Sequence, residues 1–125
     1  MINYFVISVG AAIGGMLRYG LASFIQKKVE SFFPYGTLVV NILGSFALGF
    51  IMYYLDEKDF LSPQVRLFLT VGLCGGFTTF STFSYETLNL IRNSQFLLAT
   101  TNVLGSVFLC LIAIYLAYIV SKAIG

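Results

Sequence analysis

The residues of this chain that can do chemistry are mostly hydrogen-bonding groups, and they are concentrated in one segment, residues 72–86, GLCGGFTTFSTFSYE. Its hydroxyls and backbone amides can donate hydrogen bonds to an anion. Phe80 and Phe83 are three residues apart and can share a helix face, where the partially positive ring edge can also meet an anion. The set suits a small, strongly hydrated anion that must not be trapped by a fixed positive charge. The alternative is that the two rings only pack.

The same segment is a poor continuous helix. Three glycines fall within five residues and are followed by alternating Thr or Ser and Phe, a combination of low helix propensity. We expect a break near Gly75 to Thr79, flanked by two half-helices. Backbone freed at membrane depth is tolerated only beside protein or water, so a break indicates a site for an anion at the amides or a small cation at the carbonyls. The alternative is a structural kink whose free backbone groups are hydrogen-bonded by Ser and Thr side chains.

A second group of polar residues comes from an internal repeat, NILGS at 41–45 and NVLGS at 102–106. The repeat belongs to two polar stripes with a spacing of four residues: Thr37, Asn41 and Ser45, and Asn102, Ser106 and Cys110. Residues four apart share a helix face, and an apolar environment leaves an unpaired Asn costly. The stripes therefore predict a narrow hydrogen-bonding track, unless the Asn side chains only join helices.

The composition of the chain indicates the environment in which these polar residues lie. Of 125 residues, 58% are hydrophobic and only 10% are charged, against about 25% charged in ordinary soluble domains. This excludes a soluble enzyme, a disordered tail and a nucleic-acid binder, and the net charge of +2 gives no signal for a polyanion partner. The chain has no His and two Cys, so a zinc site is not expected. No nucleophile and base are paired in a way that predicts an enzyme.

Four membrane helices must position the polar residues. A spanning helix takes about 20 apolar residues, so four of them use most of the chain. We predict an all-α integral membrane protein, a single membrane domain over residues 1–125, with spans at about 2–25, 34–55, 63–92 and 96–120, the third broken at mid-membrane near 75–79. Four helices leave little room for an aqueous pore in one subunit, which favours an oligomer.

The charge count at the two ends of these helices is balanced. One end carries three cationic residues and so does the other: Lys27, Lys28 and Arg92, and Lys58, Arg66 and Lys122. Because an excess of Lys and Arg marks the cytoplasmic side, this chain has almost no orientation signal. We expect insertion in both orientations and pairing as an antiparallel homodimer. The alternative is a single orientation set by other details.

Two ionisable residues are expected inside the spans, where charges are functional candidates. Arg18 is close enough to Lys27 to extend to the membrane surface, or it can form an electropositive vestibule that attracts anions. Glu86 can hydrogen-bond within the dimer or pair with a cation such as Arg18, and its role stays open.

Three motifs resemble the small fluoride channels of the Fluc or CrcB family: GGMLRY at 14–19, GTLVVN at 36–41 and GGFTTFSTF at 75–83. The resemblance covers essentially the whole chain, and the third motif is the most specific. Asn102 and Ser106 match polar positions of the family's fourth helix. The position of Asn102 is Tyr in some relatives, and that of Cys110 is Ser.

The resemblance implies an antiparallel, dual-topology homodimer with two fluoride pores in a bacterial inner membrane. It also implies passive export of fluoride, which lowers the cytoplasmic concentration and gives fluoride resistance. Phe80 and Phe83 would contact the ion by their ring edges, Asn41 would donate to it near the pore entrance, and Ser81 and Thr82 would belong to a polar track.

The family further implies a structural Na⁺ at the dimer centre. The backbone carbonyls of Gly75 and Thr78 from both subunits would hold this ion, which is not transported.

A small dual-topology exporter of cationic drugs is the main rival hypothesis. That chemistry needs a carboxylate in the first span, where this chain has Arg18 and no acid. A membrane scaffold without transport would explain neither the two polar stripes nor the predicted break.

Overall fold

A computed structural model describes all 125 residues, as helices joined by short connections. Helix α1 is Ile2–Val29, and α2 is Tyr35–Phe50, which continues as a π-helical stretch, Ile51–Asp56. Helix α3 consists of Pro63–Leu67, a π-helical stretch Phe68–Cys74, and Gly75–Phe77; α4 is Ser81–Arg92 and α5 is Phe96–Ile124.

The helices form four segments that are long and apolar enough to cross a membrane: Ile2–Val29, Tyr35–Asp56, Pro63–Arg92 and Phe96–Ile124. This confirms the prediction of an all-helical chain with four spans. Only 20 of the 125 residues are buried, and large apolar side chains cover the outer surfaces of α1 and α5. An apolar surface of this extent is stable against lipid and not against water.

Glycines bring α1 against α3 with almost no side chains between them. A Cβ atom added to Gly14 would lie 2.3 Å from the Leu73 carbonyl oxygen, and one added to Gly76 would lie 2.6 Å from the Ala11 carbonyl oxygen. Gly10 and Gly72 meet in the same way one turn along. Gly10 and Gly14 form one GxxxG motif, and Gly72 and Gly76 form another. The two motifs face each other, as is common where membrane helices pack closely.

The connection between α1 and α2 is held by one side chain. The Gln26 amide nitrogen donates to the carbonyls of Ser31 and Phe33, at 2.9 and 3.0 Å, and its carbonyl oxygen accepts from the Gly36 N–H at 3.1 Å. These bonds fix the start of α2 and with it the position of Thr37.

Helical backbone ends at Phe77 and resumes at Ser81, within the third span. Thr78 is extended, with φ −98° and ψ 162°. The break was predicted near Gly75 to Thr79, and the structure has helical backbone as far as Phe77. Gly75 is still helical because its N–H bonds to the carbonyls of Thr70 and Gly72. The neighbouring Gly76 is needed for the contact with α1 and does not itself break the helix.

Candidate functional site

Asn41 on α2 binds the backbone of the interruption at two points. Its Nδ2 donates to the Thr79 carbonyl at 3.0 Å, and its Oδ1 accepts from the Thr79 N–H at 2.8 Å. A continuous helix would have paired those two groups within itself. One side chain thus satisfies backbone that has left its helix, which is the condition for irregular structure at membrane depth.

Thr79 and Thr78 close the two helix ends on either side. The Thr79 hydroxyl oxygen accepts from the Thr82 N–H at 3.1 Å, which is the N-cap pattern for α4. The Thr78 N–H and hydroxyl both donate to the Cys74 carbonyl at 3.0 Å. Thr78 therefore belongs to the end of α3, and Thr79 to the start of α4.

The interruption leaves carbonyl groups without their usual donors. The Gly75 carbonyl loses the Thr79 N–H to Asn41, and the Thr78 carbonyl accepts no backbone or side-chain hydrogen bond. Of the two carbonyls between them in sequence, that of Gly76 accepts from Arg18 Nε at 3.0 Å. The two carbonyls that the sequence analysis assigned to a cation are therefore unpaired within the chain.

A cavity of about 350 Å³, here called the phenylalanine cavity, lies beside the interruption. Its chemically informative lining residues are Asn41, Ser45, Phe80, Phe83, Ser106 and Cys110. Gly75 and Thr78 also line it, and none of its lining residues is charged. The structure thus brings together residues from α2, α3, α4 and α5 that the two polar stripes and the Phe/Thr motif singled out.

The two rings of this cavity differ in their exposure. Their centroids are 5.4 Å apart with planes tilted by 48°, within the range of favourable aromatic pairs. Phe83 is 9% exposed, whereas Phe80 is 77% exposed. Phe83 is packed within the chain, and Phe80 extends from it.

A second cavity of about 280 Å³, here called the charged cavity, is also lined in part by Thr79. Its polar lining residues include Arg18, Gln26, Thr37, Thr79, Thr82 and Glu86. Arg18 Nε donates to the Gly76 carbonyl. It forms no ion pair with Glu86, whose Oε1 is buried without a hydrogen-bond partner.

Asn102 lies apart from both cavities. It is 1% exposed, its Nδ2 donates to the Thr87 hydroxyl at 2.9 Å, and its Oδ1 accepts from the Ser106 hydroxyl at 3.3 Å. Asn102 thus joins α5 to α4, as in the alternative in which the Asn side chains join helices. Ser106, one turn further along α5, does line the phenylalanine cavity.

The remaining predicted residues lie close to the interruption. Ser81 is exposed, with its hydroxyl 3.5 Å from that of Thr79. Thr37 is buried and lines the charged cavity together with Thr82. Sequence reasoning missed Thr79, although a threonine three residues before the Thr82 N–H is an N-cap signal.

Comparison with known proteins adds the family. The chain matches the family model described as "CrcB-like protein, Camphor Resistance (CrcB)" over residues 5–118. It is 46% identical over 118 residues to a fluoride-specific ion channel FluC of Geotalea uraniireducens, covering 94% of this chain and 95% of that protein.

Two further relatives carry the same name. The FluC protein of Trichlorobacter lovleyi is 47% identical over 119 residues, covering 95% of each chain. That of Paramagnetospirillum magneticum is 43% identical over 127 residues, covering 100% of this chain and 99% of the relative. The family is not one of enzymes, as predicted, and its members span the membrane several times. The chain belongs to the CrcB-like family.

Proposed function

We propose that this protein is a fluoride-selective channel that lets fluoride leave the cytoplasm passively and so protects the cell from it. The observation that carries the proposal is the phenylalanine cavity, where two aromatic rings stand with amide and hydroxyl groups and no charged residue. The names of the relatives, fluoride-specific ion channels, support it.

The lining chemistry suits fluoride. A small anion gives up strongly bound water only where hydrogen-bond donors replace it. Asn41 carries such a donor, because its Nδ2 group has a second hydrogen besides the one donated to the Thr79 carbonyl. The edges of Phe80 and Phe83 add partial positive charge. Because the cavity has no cation, the ion is not held so tightly that it cannot leave, as conduction requires.

The charged cavity forms the vestibule of this proposed path. Arg18 supplies a positive charge that concentrates anions, and Thr37 and Thr82 line the same cavity. Glu86 lines the same cavity, and its unpaired oxygen is available to accept a hydrogen bond.

The working unit of the proposal is an antiparallel homodimer with two pores. Phe80 and Ser81 are exposed on the isolated subunit at the middle of a span. Polar side chains and non-helical backbone at that depth need cover from protein. The equal counts of Lys and Arg at the two ends permit both orientations, so a second, inverted copy can provide that cover.

A structural Na⁺ at the dimer centre fits the donors that the chain presents. Gly75 is exposed on the subunit, and its carbonyl and that of Thr78 lack partners within the chain. Carbonyl oxygens are ligands for hard cations. When bound, the ion neutralises the carbonyl dipoles that meet from the two subunits.

The test is fluoride efflux from liposomes that contain the purified protein, with chloride as the matched anion. We expect rapid loss of fluoride to a selective electrode and little loss of chloride. Equal efflux of the two ions would contradict the selectivity. Phe83→Ile keeps an apolar side chain but removes the ring edge, so we expect much slower fluoride efflux from a dimer of unchanged size.

A further inference from the structure

Thr79 borders both cavities. The lining of the phenylalanine cavity and that of the charged cavity have one residue in common, and it is Thr79. Of the residues that line the two cavities, Thr79 alone is placed to contact an ion in either of them.

Nearly all hydrogen-bonding capacity of Thr79 is already used. Its N–H and carbonyl are taken by Asn41, and its hydroxyl oxygen accepts from the Thr82 N–H. The hydroxyl proton is the exception. The nearest group that could take it is the Ser81 hydroxyl at 3.5 Å, well beyond the usual O–H···O distance of about 2.7–2.8 Å.

The neighbouring hydrogen bonds fix the position of the Thr79 hydroxyl and leave its proton free to be donated to a ligand. Asn41 fixes the backbone of Thr79 on both sides of its Cα, and the N-cap bond fixes the hydroxyl oxygen. A hydroxyl that accepts one hydrogen bond becomes a better donor of another, since the bonds polarise each other. The other interruption threonine, Thr78, has already donated its proton to the Cys74 carbonyl.

We propose that the Thr79 hydroxyl donates a hydrogen bond to the anion as the anion passes between the charged cavity and the phenylalanine cavity. This inference rests on the proposed fluoride conduction. It makes Thr79 a residue that contacts the ion, in addition to its cap on α4.

The test compares substitutions that separate the donated proton from the cap. Thr79→Ser keeps both, and we expect fluoride efflux within about twofold of the unmodified protein. Thr79→Val removes the hydroxyl and keeps the shape, so we expect efflux at least about tenfold slower, the scale of one lost hydrogen bond to an ion. Thr101→Val is the matched control, because its exposed hydroxyl donates only to the Leu97 carbonyl, and it should conduct normally.

Thr79→Val also removes the oxygen that accepts from the Thr82 N–H. A second variant, Thr79→Asp, controls for the loss of this capping bond. The aspartate keeps an oxygen acceptor for the Thr82 N–H but replaces the donated proton with negative charge. We expect a folded dimer with no measurable fluoride efflux. The fraction of vesicles that empty counts active protein, while the rate per active vesicle reports the pathway, and only the rate should fall in the valine variant.

The outcomes distinguish this inference from the proposed function. If the unmodified protein releases no fluoride, the proposed function fails. If it releases fluoride and Thr79→Val or Thr79→Asp releases it equally fast, Thr79 does not contact the ion. A fall in the fraction of active vesicles at an unchanged rate would reduce Thr79 to its capping role.

Discussion

The segments 41–45 and 102–106 differ only at their second residue, Ile42 in one and Val103 in the other. Their asparagines nevertheless have different partners. Asn41 bonds to backbone, at both polar groups of the Thr79 residue. Asn102 bonds to the side chains of Thr87 and Ser106. One asparagine replaces a helix's own hydrogen bonds, and the other joins two complete helices.

The glycines of the two segments differ in the same sense. Gly44 gives Thr78 its space, since an added Cβ would lie 2.2 Å from the Thr78 Cγ2 atom, whereas a Cβ on Gly105 would meet nothing within 4 Å. The asparagine and the glycine of the pattern therefore contact the interruption only in the first segment, whereas the second segment contributes Ser106 to the phenylalanine cavity. The neighbours of each segment, and not the pattern, give it a role.

The largest effect should come from the asparagines. Asn41→Ala leaves the N–H and carbonyl of Thr79 without partners, each loss being worth about 1–3 kcal/mol, and removes a donor from the phenylalanine cavity. We expect fluoride efflux from liposomes to fall by at least about tenfold. The matched variant is Asn102→Ala, which should conduct within about twofold of the unmodified protein. If both folded variants lost conduction equally, the proposed functional difference between the two segments would be contradicted.

The glycine pair should give a smaller effect, visible in stability. Gly44→Ala forces a methyl group against Thr78, a β-branched residue held by its bond to the Cys74 carbonyl, and overpacking of this kind costs about 1–3 kcal/mol. Gly105→Ala should be neutral or stabilising by up to about 1 kcal/mol. Thermal unfolding in detergent measures both, and a Gly44→Ala protein as stable as Gly105→Ala would show that the contact is not tight.

The smallest effect should come from the partner of Asn102. Thr87→Val removes the oxygen that accepts from Asn102 Nδ2. Bonds between membrane helices average about 0.6 kcal/mol, so we expect destabilisation below about 1 kcal/mol and unchanged fluoride efflux. A marked loss of efflux would place the Asn102 pair in the conduction path after all.

The sequence predicted what depends on local signals. Four apolar stretches of sufficient length predict four spans, and the density of Gly, Thr and Phe indicated the segment that contains the interruption. The residue at which the helix ends could not be predicted, because glycines such as Gly75 and Gly76 can either break a helix or allow a close helix contact. Only the position of α1 against Gly76 decides between them.

The partners of single polar groups were beyond reach for a physical reason. Arg18 bonds to a carbonyl 58 residues further along the chain, and the spacing of residues in one helix says nothing about such a contact. The same holds for Asn41 and Thr79, 38 residues apart. The polar stripes showed which faces of α2 and α5 are polar, but not what lies opposite each face.

The contact of Arg18 with Gly76 has a consequence for biogenesis. The first span emerges from the ribosome while the third is still unmade, so a nascent α1 presents an arginine and a glycine groove to its surroundings with nothing to receive either. An unpartnered arginine is costly in hydrocarbon, and the acceptor of the Arg18 hydrogen bond is the backbone carbonyl of Gly76. The first helix can therefore reach its final position only after the third has been translated. A mutation at Gly76 would then disturb the packing of a helix that was inserted much earlier.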